Sequence, residues 1–184
     1  RWVARFLAGP RVAFGDQTVD GRPMTLRQME QFMEHENAAA TWADLARLRS
    51  AWPGRIVVKG IMGPDDARTA IDVGADAVYV SNHGGRQFDA QPSTAAALPA
   101  IVDAVGGQVP VLVDGGIRRG SDVVKMTAVG ADLCLVGRPV VYGLVHAGQE
   151  GARQILEVLN EETAVALAFT GTPRLRDVTG DVLA

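Results

Sequence analysis

The chain has 184 residues, 47% hydrophobic and 21% charged, which is the make-up of an ordinary globular domain. A net charge of −3 argues against a nucleic-acid surface. A single cysteine excludes an intrachain disulfide, no Cys/His cluster suggests a zinc site, and no apolar run reaches the ~20 residues of a bilayer span.

Residues 1–40 read as an extension ahead of a main domain at 41–184. Trp2, Val3, Phe6 and Leu7, with Arg1 and Arg5, predict one amphipathic helix, docked on the protein surface or touching a membrane. Asp16 to Arg22 holds two Asp-rich turns with no strand pattern. No signal peptide is visible, and the start at Arg1 leads to the expectation of a piece of a longer chain. Thr41 opens a helix over Trp42 to Ala51, with Asp44 completing a capping box.

From Trp52 the pattern alternates. Ile56 to Lys59 predicts a strand, and Pro64 to Val73 a helix with proline near its first turn and Gly74 as its stop. Ala77 to Ser81 is the next strand, and Ser93 to Val105 a helix ended by Gly106-Gly107. Val109 to Val113, Ser121 to Val129 and Leu133 to Val136 continue as strand, helix and strand. A final helix runs from about Gly148 to Phe169. Cys134 lies inside the last apolar run and reads as a small core residue. The strands are short, continuous and apolar, so burial on both faces of a parallel sheet is expected. Four βα units with polar residues at each strand's C-terminal end predict an α/β fold, half of a (β/α)8 TIM barrel. Periodicity alone leaves a doubly wound sheet open.

The polar strand ends carry the candidate chemistry. Ser81-Asn82-His83-Gly84-Gly85-Arg86 leaves the second strand: His83 can exchange a proton near neutral pH, and Arg86 can grip a carboxylate with two parallel hydrogen bonds. Lys59 ends the first strand, where a cation can stabilise negative charge. Asp114-Gly115-Gly116-Ile117-Arg118 follows the third strand, and Gly137-Arg138 the fourth. Glycines there let a ligand approach the backbone, while the arginines and the helix start after Arg118 attract anions, so a phosphate site is expected.

In this order, Val57-Val58-Lys59-Gly60, Ser81 to Gln87, Asp114 to Gly120 and Gly137-Arg138-Pro139 resemble the FMN-dependent α-hydroxy acid oxidase and dehydrogenase family. That family includes glycolate oxidase, lactate oxidase and mandelate dehydrogenase. The likeness runs from about Thr41 to the C-terminus, and the region around Trp52-Pro53 with the segment before Thr41 is most similar to the mandelate-dehydrogenase branch. Phe88 stands where the family usually has Leu.

The resemblance implies FMN as cofactor and oxidation of an (S)-2-hydroxy acid such as lactate, glycolate or mandelate. It implies His83 as base, Arg86 as carboxylate clamp, Lys59 beside the flavin's N1–O2 edge and Ser81 in contact with the flavin. Asp114, Gly115, Gly116, Ile117 and Arg118, with Gly137 and Arg138, would hold the ribityl chain and phosphate. It also implies a missing N-terminal half of the barrel, from a second chain or from unseen residues, carrying the aspartate that orients the histidine. The expected assembly is a homo-oligomer, a tetramer, in the cytoplasm and with peripheral membrane contact. Two alternatives stand: another flavin-dependent barrel such as an isomerase, and a catalytically inactive half-barrel serving as a binding or assembly module.

Overall fold

The computed structural model describes residues 8, 13–19, 22–25, 27–28 and 40–183. The chain separates into two compact units, Arg1–Asp44 and Leu45–Ala184. The expected helix at Trp2 to Leu7 lies outside the described residues.

In the first unit, β1 (Ala13–Val19) pairs antiparallel with β2 (Arg22–Thr25), with a register shift between Phe14 and Thr18. This corrects the expectation of turns without strands. Asp16 lies within β1, and Val19 pairs with Arg22. The residues between them are Asp20 and Gly21, the sequence pair that tight hairpins favour. The glycine and aspartate within β1 obscured its alternation.

Helix α1 (Trp42–Ala51) starts as expected: the Thr41 N–H and hydroxyl donate to Asp44 Oδ2 at 2.7 and 2.6 Å, and the Asp44 N–H returns to Thr41 Oγ1 at 3.3 Å. There follow β3 (Val57–Ile61), α2 (Pro64–Asp72), β4 (Ala77–Val80), α3 (Thr94–Val105), β5 (Val111–Val113), α4 (Gly120–Val129), β6 (Leu133–Cys134) and α5 (Arg138–Phe169). Ser93 caps α3 by accepting from the Ala96 N–H, and Gly106 ends it. β5 is shorter than expected because Pro110 has no N–H, although its carbonyl accepts from Val78.

Strands β3-β4-β5-β6 lie in sequence order and are all parallel. Right-handed crossovers between neighbours taken in order put every helix on the same face. That is a barrel's arrangement; a doubly wound sheet needs a reversal of order to place helices on both faces. Val78 and Val80 point to the helix side and are fully buried. The opposite face carries Val57, Lys59, Tyr79, Leu112 and Leu133, aligned by the register Lys59↔Tyr79↔Leu112↔Leu133. Val57 and Leu133, on the two outer strands, are 47% and 53% exposed. Burial on both faces is therefore corrected: among the described residues, helices cover one face only.

Val-Gly-Ala-Asp occurs twice, at 73–76 and 129–132. Asp76 Oδ2 accepts from the Ile56 N–H and Asp132 Oδ2 from the Val111 N–H, each at 2.8 Å. Each aspartate thus ties the start of its own strand to the start of the preceding one. Arg49 of α1 adds an ion pair to Asp76 at 3.1 Å.

Helix α5 bends sharply at Ala147 and Gly148. Its second limb is the expected final helix; the first, from Arg138, was not expected. The limbs cross backbone to backbone, since a Cβ on Gly143 would lie 2.4 Å from the Gly151 carbonyl oxygen. Beyond α5, Val178 joins Val124 and Ala128 of α4 in a small core flanked by Leu167 and Val182.

Candidate active site

The C-terminal ends of β3, β4 and β5 bring Lys59, Tyr79, Ser81 and Asp114 together. Register sets Lys59 beside Tyr79, with the ammonium 5.2 Å from the ring centroid. Lys59 Nζ donates to Ser81 Oγ at 3.0 Å and lies 3.7 Å from Asp114 Oδ2. The Tyr79 hydroxyl donates to the same Asp114 oxygen at 2.9 Å. Burial, then the hydrogen bond to Asp114 and its charge, hold the Tyr79 phenol well above its ordinary range, so it stays a donor at neutral pH. The other oxygen, Asp114 Oδ1, is buried with no partner among the described residues.

His83 lies on a tight turn after β4, with φ of +54°, a left-handed conformation unusual for a residue with a side chain. Three contacts hold it there. The His83 N–H donates to Ser81 Oγ at 3.2 Å, the Gly84 N–H to Asn82 Oδ1 at 3.0 Å, and the Gly85 N–H to the Asn82 carbonyl at 3.0 Å. Gly84 and Gly85 continue the left-handed path without a Cβ penalty. From the start of α5, Arg138 Nη2 donates to the Gly84 carbonyl at 3.1 Å, joining the loop after β4 to the loop after β6. The ring of His83 approaches Gly60 on β3, where a Cβ would come within 3.3 Å of Cε1.

After β5, the buried Thr94 donates to the Asp114 carbonyl at 2.5 Å and fixes the turn into Gly115. A Cβ on Gly115 would sit 2.7 Å from Thr94 Oγ1, whereas Gly116 faces open space. Ile117 is buried, and Arg118 is exposed. The N-terminus of α4, expected to attract an anion, is already filled. Asp122 Oδ2 accepts from the Arg118 and Arg119 N–H groups at 3.0 Å each, and Glu162 of α5 accepts from the Gly120 N–H at 2.9 Å. At Gly116 and Gly137, by contrast, added Cβ atoms would meet nothing within 4 Å.

The structure thus gathers Lys59, Ser81, His83, Asp114 and Arg138 through direct contacts. Arg86 follows the His83 turn and is exposed, like Arg118 and Gly137. Ser81 is 1% exposed, so its hydroxyl serves Lys59 and the His83 backbone. Sequence reasoning missed Tyr79, Thr94 and Glu162. Tyr79 alone had a signal, a hydroxyl-bearing residue in an otherwise aliphatic strand. Cys134 is half-buried rather than a full core residue, and the burial it has pushes its thiol up to about 11. Among the described residues no group of three acidic, His or Cys side chains is placed to hold a metal.

The Gly120 N–H, followed by Arg119, holds the Glu162 carboxyl below the usual carboxylate range. A carboxylate lowered by folding adds stability above its unfolded value near 4.5 and loses it as pH falls through the folded value. Wild type is therefore expected to exceed Glu162→Gln in stability most clearly above about pH 5, with the gap closing under acid. Denaturant midpoints of both proteins between about pH 3 and 7 check this; a gap independent of pH would assign the effect to shape rather than charge.

A family model described as FMN-dependent dehydrogenase matches residues 1–184. The L-lactate dehydrogenase of Yersinia pestis (strain Pestoides F) is 46% identical over 165 residues, covering 89% of this chain and 43% of that protein. The crystal structure of the monotopic membrane protein (S)-mandelate dehydrogenase superposes with a TM-score of 0.90 at 34% identity, over 98% of this chain and 48% of that one. A mandelate oxidase variant with a monooxide FMN adduct gives a TM-score of 0.73 at 47% identity, over 79% of this chain and 45% of that one. The chain spans about half the length of these relatives. Its parallel sheet with one-sided helices is accordingly the C-terminal half of a (β/α)8 barrel. Matched along its whole length, and close in both sequence and backbone to these enzymes, the chain belongs to the FMN-dependent dehydrogenase family.

Proposed function

We propose that this chain carries the catalytic half of an FMN-dependent enzyme that oxidises small (S)-2-hydroxy acids, of the lactate or mandelate type, to 2-oxo acids. The observation that carries the reading is the convergence of Lys59, Ser81, His83, Asp114 and Arg138 at the ends of consecutive parallel strands.

The residues fit the cofactor. Asp114 Oδ1 is a buried acceptor needing a donor, which a ribityl hydroxyl would provide. Gly116 and Gly137 leave open space beside Arg118 and Arg138, suited to a phosphate. Lys59 faces the same side and would stabilise negative charge on the ring. Bound FMN supplies the two-electron redox chemistry.

The chain's own residues do the rest. Arg86 binds the substrate carboxylate as a planar fork. His83 takes one of the two protons that a 2-hydroxy acid loses in becoming a 2-oxo acid. Ser81 aligns both Lys59 and His83. The uncovered sheet face, with Val57 and Leu133 exposed, supports the reading that the other half of the barrel packs there. Residues 1–40 form an extension before the half-barrel at 41–184. A homo-oligomer fits the exposed Val141, Tyr142, Leu144 and Val145 on α5. No described helix is long and apolar enough to cross a membrane. Peripheral membrane contact is supported by the likeness to the monotopic (S)-mandelate dehydrogenase.

The test is anaerobic mixing of the FMN-loaded, full-length protein with L-lactate, glycolate or (S)-mandelate. Bleaching of the flavin absorbance by at least one is expected, and none from any of the three would overturn the reading. Arg86→Lys should raise the half-saturating acid concentration about tenfold or more, since a charge-assisted hydrogen bond contributes ~1.5 kcal/mol or above.

A further inference from the structure

Tyr79 has no assigned part in the chemistry above, yet it touches two residues that do. Its hydroxyl and the Lys59 ammonium converge on one oxygen, Asp114 Oδ2, at 2.9 and 3.7 Å. The first distance is a hydrogen bond; the second is beyond one. Among the described residues, Lys59 is left with one hydrogen bond, to Ser81 at 3.0 Å, and with the Tyr79 ring at 5.2 Å. An ammonium has three N–H donors, and the Lys59 side chain is 40% exposed. Donors therefore remain for a ligand.

The geometry points to Tyr79 as a positioning residue that keeps Lys59 available to the flavin. The phenol competes with Lys59 for Asp114 Oδ2 and, by donating to it, weakens the carboxylate's pull on the ammonium, which stays at 3.7 Å rather than at hydrogen-bond distance. Its ring meanwhile props the ammonium toward Ser81. A lysine fully bonded to aspartate presents little net field to a neighbouring ring; a lysine held short of that bond presents more. The inference rests on the reading that Lys59 faces bound FMN, and the experiment separates the two.

Tyr79→Phe keeps the ring and deletes only the hydroxyl. In the FMN-loaded, full-length protein, Lys59 then closes onto Asp114 and the reduced, negatively charged flavin loses stabilisation. The equilibrium constant for two-electron reduction is expected to fall about tenfold, roughly 30 mV in midpoint potential, with flavin content unchanged. Lys59→Met alone should also lower the potential, and adding Tyr79→Phe to it should change nothing further. An unchanged potential in Tyr79→Phe, beside a shift in Lys59→Met, overturns the role of Tyr79 and leaves the placement of Lys59 standing. Equal shifts from Tyr79→Phe in both backgrounds also overturn it, because Tyr79 would then act without Lys59. If Lys59→Met itself has no effect while FMN stays bound, the flavin-facing reading of Lys59 fails and the proposal with it. A Tyr79→Phe protein that cannot fold or hold FMN overturns the proposal too, by making the hydroxyl structural.

Discussion

Replacing His83 by Asn is expected to cut turnover of a 2-hydroxy acid by about 10²- to 10⁴-fold, the usual worth of a positioned base, while FMN stays bound. Asparagine is the informative substitute because of the backbone. His83 sits at φ +54°, where alanine is strained and asparagine is tolerated. The turn's own bonds, from His83 N–H to Ser81 and from Gly84 N–H to Asn82, do not involve the imidazole, so the loop should keep its shape. Steady-state kinetics, with flavin content measured by absorbance, check this. Turnover within a few-fold of wild type would remove His83 from the role of base.

The same geometry says where the proposed base would gain its precision. Strained residues persist where their surroundings over-determine them, at roughly 1–3 kcal/mol each. Here the surroundings come from three units: Ser81 at the end of β4, Gly60 at the end of β3 leaving room for the ring, and Arg138 at the start of α5 bonding Gly84. Arg138 thus braces the His83 turn as well as lying beside the proposed phosphate seat, so the two ends of the site are coupled through one side chain.

Much of this arrangement was legible in the sequence because βα units have local signatures. Pro64 and Gly74 bracket α2, Ser93 and Gly106 bracket α3, and Gly130 ends α4, each for a backbone reason that needs no tertiary contact. The loops at 59, 81–86, 114–118 and 137–138 were recognisable because polar residues interrupt apolar runs at regular intervals. The first limb of α5 escaped notice because Pro139, Gly143 and Gly148 mimic a loop, yet Pro139 is a first-turn proline and Gly143 a crossing point. Glu162 and Thr94 were illegible for a different reason. Glu162 reaches Gly120 across 42 positions, and Thr94 reaches Asp114 across 20, so only the folded chain shows them. The burial of the strands was over-read: an apolar run shows that a residue can be covered, whereas the cover for Val57 and Leu133 is not among the described residues.

Gly120→Ala is expected to be among the most damaging small substitutions in the half-barrel. A Cβ at Gly120 would lie 2.0 Å from the Thr163 backbone nitrogen and 2.3 Å from the Glu162 carbonyl carbon. Both are main-chain atoms of α5, so no rotamer change relieves the clash, and the helices must part. Separation breaks the Gly120–Glu162 and Arg119–Glu162 bonds, both 2.9 Å, and loosens Val124 and Ala128 from Val178 and Leu167. Overpacking usually costs about 1–3 kcal/mol, and a backbone-to-backbone clash belongs at the upper end or above. About 3 kcal/mol lowers the folded-to-unfolded ratio more than a hundredfold. It should appear as a lower denaturant midpoint at unchanged slope. Gly63→Ala is the matched control: its added methyl meets nothing within 4 Å and its φ is −136°, so a loss below about 1 kcal/mol is expected, the weaker N-cap being offset in part by the stiffer unfolded chain. Equal midpoints for the two variants would mean that α4 and α5 do not meet at Gly120. A selective loss in Gly120→Ala, accompanied by weaker FMN retention, would show that the Asp114–Arg118 loop takes its position from the α4–α5 contact beneath it.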